Sequence, residues 1–368
     1  MKVLVTGGAG FIGLATAEAL RDRGDEVRIM DALTQPVHAP DAPGPEGFDF
    51  VRGDVRVKDD WIRALDGVDA VCHFAAYQDY LKDFSTFFHV NAAGTAMLYE
   101  VIVERSLPVR RVVAASSQAV YGEGAYRCDL DGLVTCEPRP AERLRRGEFE
   151  QRCPKCGGPV ELVPTPEEHA DPRNSYGISK LAQEKIALAL GETYDVPTAT
   201  MRYSIVHGPG QSPRNAYSGL LRSAALNLLA GVAPVAFEDG KQQRDYVAIG
   251  DVVAANLIAL DHPDAPGRAY NVGGDMPWTV LEVADALREI AGVDVDTLTP
   301  GLYRVGDTRH IVSDVTRLRS LGWNVRADLK QVWRDYWAWL GGLGVDPAIA
   351  RRAHEDMLAR GVLRKAGG

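Results

Sequence analysis

The chain has 368 residues, 46% of them hydrophobic, enough to bury one large α/β core or two joined lobes. Its 41 Lys and Arg against 50 Asp and Glu give a net charge of -9 with no long basic run, which argues against a nucleic-acid partner. No apolar run reaches the roughly 18 residues of a membrane span, and the first strand begins at the initiator Met with no room for a signal peptide, so a cytoplasmic protein is expected.

The chain opens on KVLVTGGAGFIG. Lys2 to Thr6 is an apolar, β-branched run fit for a buried strand, and it breaks into Gly7, Gly8, Gly10 and Gly13 before Leu14 to Leu20 take up helical spacing. Glycines in a strand-to-helix turn let a pyrophosphate approach the main chain and sit over free amides at the helix N-terminus. The second strand, Glu26 to Met30, ends in Asp31, about 20 residues further on, where a carboxylate can accept hydrogen bonds from a ribose and repel a 2′-phosphate. NAD(H) rather than NADP(H) is the expected cofactor.

A Pro- and Gly-rich loop, Ala32 to Gly47, precedes a third strand, Phe48 to Arg52. Asp54, just beyond it, suits the adenine amino group or the N-cap of a helix from Lys58 to Leu65. Val68 to Phe74 reads as the fourth strand, and Ala75-Ala76 lets backbone pass close to a cofactor. After an aromatic stretch from Tyr77 to Phe88, Asn91 begins a helix running to Arg105, as a buried tie or a cap. The fifth strand, Val109 to Ala115, ends in Ser116-Ser117-Gln118-Ala119-Val120-Tyr121-Gly122.

From Glu123 to about Pro166 periodicity is lost, and four of the five cysteines gather there. This is an insertion. Asn174 to Leu190 reads as a helix with Tyr176 and Lys180 one turn apart on one face. Val196 to Tyr203 is the sixth strand, and His207 follows it, facing a sugar pocket or capping a turn. Helices are expected at Leu220–Ala230, Asp251–Leu260, Val280–Ile290, Ser313–Leu321 and Leu329–Leu340, with strands at Val235–Glu238, Tyr270–Val272 and Arg309–Ile311. Trp333, Trp337 and Trp339 suit a core or a dimer surface.

The Tyr-x-x-x-Lys pair carries the chemistry. A phenol titrates near 10 in water, but an ammonium one turn away and the charge of an oxidised nicotinamide can lower it enough to act as a base. Tyr176 would then exchange a proton with an alcohol or sugar hydroxyl, while Ser117 at a strand's C-terminal end holds the oxygen.

At this point the chain resembles the extended short-chain dehydrogenase/reductases, in their NAD-dependent sugar-nucleotide epimerase/dehydratase branch. GGAGFIG, GDV, HFAA, NAAGT, SSQAVYG, NSYGISK, MRYSIVHGPGQ, RDYVAIGDVV, YNVGG and GDTRH fall in that branch's order over roughly residues 1–122 and 165–340. The resemblance implies a doubly wound Rossmann-type parallel sheet in an NAD-binding domain, residues 1–203, with part of the sheet from about 239–260. A smaller C-terminal substrate-binding lobe, mainly residues 204–368, and the Cys-bearing insertion at 123–166 complete it.

By that resemblance Gly7, Gly10, Phe11, Ile12 and Gly13 hold pyrophosphate, Asp31 the ribose and Asp54 the adenine. Val55, Phe74, Ala75, Ala76, Asn91 and Tyr203 line the cofactor, with Tyr176 and Lys180 beside it. Ser117, Tyr176 and Lys180 form the catalytic set, Tyr77, Gln78, Ser117 and Gln118 touch the sugar, and Arg244 and Arg309 clamp the nucleotide diphosphate. Guanidinium forks suit paired phosphate oxygens better than ammonium groups. The helices preceding Tyr176 and following Asn91 form a dimer bundle in the family, which implies a homodimer.

The expected reaction is epimerisation of a nucleotide-diphosphate sugar, at C4, through a transient 4-keto sugar with Tyr176 as base. The alternatives are a nucleotide-sugar 4-dehydrogenase, a uronate decarboxylase or dehydratase and, remotely, a non-catalytic NAD-sensing protein. Dehydration is disfavoured, because the branch's Asp-Glu acid/base pair is Gln118-Ala119 here. The branch's Arg-Tyr-Phe-Asn is Arg202-Tyr203-Ser204-Ile205, which removes an amide from the donor's phosphate.

Cys128, Cys136, Cys153 and Cys156 end in Cys-Pro-Lys-Cys-Gly-Gly, which looks like a zinc knuckle and would close a structural site with no open position. Disulfides or free thiols are the rival readings, His169 is a substitute ligand, and Cys72 belongs to a strand's core.

Overall fold

The structure is a computed structural model that describes residues 1–35, 37–39, 41–79, 82–215 and 219–367. Parts of the expected loop at 32–47 and of the aromatic stretch at 77–88 therefore lie outside the described residues. Strands run in the order β1 Lys2–Thr6, β2 Glu26–Asp31, β3 Asp49–Arg52, β4 Ala70–His73, β5 Arg111–Ser117, β6 Ala125–Cys128, β7 Gly132–Thr135 and β8 Glu161–Val163. They continue as β9 Thr198–Tyr203, β10 Ile205–His207, β11 Gln243–Ala248, β12 Arg268–Val272, β13 Pro277–Thr279, β14 Leu302–Arg304 and β15 Leu363–Lys365.

Among the described residues the main sheet has seven strands, ordered β12-β9-β5-β4-β1-β2-β3 and parallel throughout. Its faces are filled by alternate residues of the same strands, as a two-residue repeat requires. Val3 and Val5 pack with the helices Phe11–Asp22 and Ile249–Asp261, whereas Leu4 and Val71 face the helices Lys58–Ala64 and Gly94–Glu104. Each such aliphatic side chain stabilises the fold by about 1.5–3 kcal/mol. Strand order reverses at β1 and β4, so the crevice at their carboxyl ends is where an open α/β sheet takes its ligand.

Two expectations about the sheet change. Its late strand is β12, while residues near 239–260 supply β11, in a separate sheet of order β10-β11-β13, and the helix Ile249–Asp261 that covers the main sheet. The segment Arg309–Ile311 is not a strand, and neither is Val235–Glu238, where Val235 makes an isolated bridge to Leu298. A further hydrophobic cluster joins the helices Gly219–Leu229, Val280–Ala291 and Leu329–Gly342 through Leu221, Leu287, Trp333 and Tyr336. Trp333 is core there, with Trp337 and Trp339 packed against it.

The insertion is ordered, contrary to its lack of periodicity. β6 pairs antiparallel with β7 and β8, and a short helix, Ala141–Arg145, follows β7. These strands are short and, unlike the short β4, carry exposed residues among their buried or part-buried ones, so no apolar run marks them. Beyond the last expected helix the chain forms another, Ala348–Ala359, and returns to pair β15 with β14.

Candidate active site

The glycine turn is sterically required. Gly7 has φ +65, and a Cβ there would lie 2.7 Å from the Ala75 nitrogen; one on Gly13 would lie 2.1 Å from the Gly7 carbonyl oxygen. Gly10 caps the helix Phe11–Asp22 with no side-chain hydrogen bond, leaving its first amides for an anion. Asp31 stands beside the turn, accepting from the amides of Ala9 at 3.1 Å and Leu33 at 2.8 Å. Backbone this close, with an uncapped helix start and an adjacent carboxylate, fits the pyrophosphate and ribose of NAD.

Ser117 ends β5 in extended conformation, its Oγ accepting from the Ala119 amide at 3.1 Å, and it lines the same cavity as the Tyr176 phenol. Tyr176 lies in the first turn of the helix Ser175–Thr193, capped by Asn174, whose Oδ1 accepts from the Gly177 amide at 2.8 Å. Burial pushes the phenol up to about 12, and Ser117 pulls the other way. Lys180 is pushed down to about 7 by burial, against the attraction of Glu184. Its ammonium donates to the Ala115 carbonyl and the Gln183 amide oxygen rather than to the phenol. Lys180 thus holds helix to strand, and its effect on Tyr176 is not the direct one expected of the pair.

A buried layer braces these groups. His73 sits between the Thr6 hydroxyl at 2.7 Å and the Thr95 hydroxyl at 2.9 Å, and Thr6 accepts the Ala75 amide. Asn91 lies within a π-helical turn, Phe88–Ala93, and bonds the Tyr77 main chain at both ends and the Ser179 hydroxyl. Glu184 accepts from Ser116 and from Arg202, joining β5, β9 and the helix of Tyr176.

A cavity of about 1120 Å³ joins these parts. Gly7, Gly10, Phe11, Ile12, Gly13, Phe74 and Ala76 line it on one side, and Ser117, Gln118, Tyr176, Lys180 and Tyr203 also face it. Gln78 and Arg244 line it too. The amide oxygen of Gln118 is buried there without a partner among the described residues.

Several other expected residues are not among those that line the cavity. Val55 is buried in the core behind the sheet with Trp61 and Leu98. Asp54 is bound to the Arg56 guanidinium, and Val57, not Asp54, caps the helix Lys58–Ala64. Ala75 adjoins the glycine turn and its amide donates to the Thr6 hydroxyl, Asn91 is buried, and the Tyr77 phenol donates to Asp83 at 2.7 Å. His207 faces neither sugar nor turn: it is fully buried, stacked on Tyr246, and its Nδ1 accepts from Trp333 at 3.0 Å.

Arg309 requires the largest correction. Its guanidinium is wholly buried and bound to Glu238 at 2.8 Å, Asp239 at 2.8 Å and Glu150 at 2.5 Å, so it has no fork to offer a diphosphate. Arg304, five positions earlier, faces the cavity instead, pairing with Asp307 at 3.2 Å and lying over the Phe237 ring. Arg244 faces the cavity too, braced by the carbonyls of Thr308 and Arg309 at 2.7 Å each. Arg222 and Glu123 also line it, and burial pushes the Glu123 carboxyl up to about 7. So do Arg351 and His354 of the helix Ala348–Ala359. The sequence signal for Arg304 was its place just ahead of Gly306-Asp307; the others had none.

In the insertion, Cys128, Cys153 and Cys156 come together with Asp131, ligand atoms all within 4.8 Å of one another. Cys136, expected as the fourth ligand, instead turns its Sγ to the Arg152 carbonyl at 3.5 Å. His169 stacks on Tyr121, and burial in β4 pushes the Cys72 thiol up to about 12.

The sequence profile of the NAD dependent epimerase/dehydratase family matches residues 3–141 and 155–273. The chain is 32% identical over 354 residues to a dTDP-L-rhamnose 4-epimerase of Burkholderia thailandensis, covering 92% of this chain and 94% of that protein. It resembles the crystal structure of UDP-glucose 4-epimerase from Thermotoga maritima with UDP-glucose, with 25% identity and a TM-score of 0.77 over 93% of this chain and 99% of that one. It also resembles the Thermus thermophilus UDP-glucose 4-epimerase complex with NAD, with 28% identity and a TM-score of 0.72 over 93% and 100% of the two chains.

Proposed function

The chain belongs to the NAD dependent epimerase/dehydratase family, and on that premise we propose that it epimerises a nucleotide-diphosphate sugar at C4, with Ser117, Tyr176 and Lys180 as its catalytic set. The observation that carries the reading is that Ser117, Tyr176 and Lys180 line one cavity with the glycine turn and with arginines that include Arg244 and Arg304. NAD, held by Gly7, Gly10 to Gly13 and Asp31, supplies when bound the acceptor and donor of the hydrogen at C4. Tyr176 as phenolate takes the 4-hydroxyl proton and later returns it. Ser117 orients the oxygen through its hydroxyl, and Lys180 keeps the phenol's helix against β5.

Arg244 and Arg304 hold the diphosphate, Gln78 and Gln118 face the sugar, and the 4-keto sugar turns its other face before the proton returns. Gln118 and Ala119 leave no acid/base pair for water loss. We take residues 1–203 as the NAD-binding unit and 204–368 as mainly substrate-binding. The reading extends to a homodimer, a cytoplasmic setting and a structural zinc ion in the insertion.

The test is product mass. Purified protein without added cofactor is incubated with UDP-, dTDP-, GDP- and CDP-sugars. A new chromatographic peak of unchanged mass is expected from one of them. A product lacking water, carbon dioxide or two hydrogens replaces epimerisation with dehydration, decarboxylation or net oxidation.

A further inference from the structure

We propose that the insertion is closed by one tetrahedral zinc ion held by Cys128, Cys153, Cys156 and the carboxylate of Asp131, with Cys136 outside the ligand set. This rests on the zinc part of the reading above and not on its sugar chemistry. Zn–S bonds of about 2.3 Å and Zn–O bonds of about 2.0 Å at tetrahedral angles place sulfurs about 3.8 Å apart and a sulfur about 3.5 Å from an oxygen. Cys128 and Cys156 Sγ lie 3.5 Å apart, and Asp131 Oδ2 lies 3.6 Å from Cys128 Sγ and 3.1 Å from Cys153 Sγ. These separations are those of ligands around one ion, and the two sulfurs are too far apart for a disulfide, whose bond is about 2.05 Å.

The main chain closes the knuckle: the Gly157 amide donates to the Cys153 carbonyl and the Cys153 amide to the Gly158 carbonyl, at 2.9 Å each. The turn needs its glycines: Gly157 has φ +72, and a Cβ on Gly158 would lie 3.3 Å from Cys156 Sγ. Cys136 stands outside this cluster, its Sγ turned to the Arg152 carbonyl at 3.5 Å.

The small core of the three-stranded sheet explains why an ion is needed. Tyr126, Cys128, Val134, Cys136 and Cys153, with Val160 and Leu162 against them, bury little for a segment that leaves the main body for about forty residues. The segment nevertheless sends Glu150 to Arg309 and His310, and Arg139 to Glu238 and the Asp307 carbonyl. Those contacts fix residues 304–310, which carry Arg304 and brace Arg244. The ion thus holds the insertion, and the insertion holds the cavity wall.

The experiment measures zinc per chain by atomic spectrometry after purification in reducing buffer with zinc supplied and then dialysed away. Wild type and Cys136→Ser are expected to carry one zinc each, and Cys128→Ser and Cys156→Ser less than half as much. Asp131→Ala is expected to lose zinc to a competing chelator at least tenfold more readily than wild type. Retained NAD in each variant checks folding independently of epimerase activity. Zinc-free wild type with its cysteines freely titratable overturns the site. Loss of zinc in Cys136→Ser with retention in Asp131→Ala overturns this ligand set in favour of four cysteines. Either result leaves the epimerase reading standing, and failure of every sugar nucleotide to react leaves the zinc result standing.

Discussion

Glu150 Oε1 lies 2.5 Å from the Arg309 guanidinium, joining residues 159 positions apart and tying the insertion to the loop that flanks the cavity. The terminal Arg309 nitrogens also donate to Glu238 and Asp239, so this arginine is a buried clasp between segments. It is not a ligand-binding cation.

Arg309→Met is therefore expected to act on stability. Breaking a buried ion pair costs about 3–5 kcal/mol, and the lower end applies because Arg139 remains on Glu238 at 2.8 Å. Urea unfolding measures it; an unchanged midpoint with a raised KM would return Arg309 to the diphosphate.

Arg304→Ala and Arg244→Ala should do the opposite. Each removes a charged donor to the diphosphate worth about 1.5–3 kcal/mol, and KM for the sugar nucleotide should rise at least tenfold. Steady-state kinetics beside a thermal melt separates this from unfolding, and an unchanged KM for Arg304→Ala would exclude it from the substrate.

Tyr176→Phe should lower kcat by about 10²- to 10⁴-fold while NAD stays bound, since the phenyl ring keeps its packing and loses only the proton. Near-full activity in that variant would end the proposed chemistry.

Gly7→Ala should purify without NAD. Its φ of +65 and the 2.7 Å approach to the Ala75 nitrogen leave no space for a methyl group, so the turn must move off the Phe74–Ala75 backbone and lose its shape. Nucleotide released on denaturing the purified protein is the readout, and wild-type amounts would count against the cradle.

Glu150 gives the acid limb of stability. The His310 hydrogen bond and the Arg309 guanidinium hold its carboxyl down at about 2, below the usual 4.5. Its stabilisation is therefore complete above about pH 4.5 and lost as pH falls through 2. Melting temperatures of wild type and Glu150→Gln should differ above pH 4.5 and converge toward pH 2; a constant gap would remove Glu150 from the account.

Much of this was legible in the chain. The glycine turn, Asp31, Ser117 and the Tyr176–Lys180 spacing are local features, set by what one turn or one strand end needs, and each stands near its expected neighbours. The buried strands were legible because a parallel sheet covered on both faces demands continuous apolar runs. The insertion's strands were not: β6, β7 and β8 are short and mix exposed residues with buried or part-buried ones, and the helix Ala348–Ala359, though its apolar residues recur at helical spacing, was not expected.

By itself, then, the sequence determined the Rossmann order, the glycine turn and the meeting of Ser117, Tyr176 and Lys180 at one cavity, because short-range geometry demands particular residues at particular spacings. Only the tertiary structure decided which arginine meets the cavity and which acid joins the cysteines. Arg304 and Arg309 are chemically alike, as are the thiols of Cys128 and Cys136. Their roles are separated by which partner, distant in sequence, reaches each one: Glu150 and Glu238 enclose Arg309, and the Arg152 carbonyl takes the Cys136 thiol while Asp131 joins the other three.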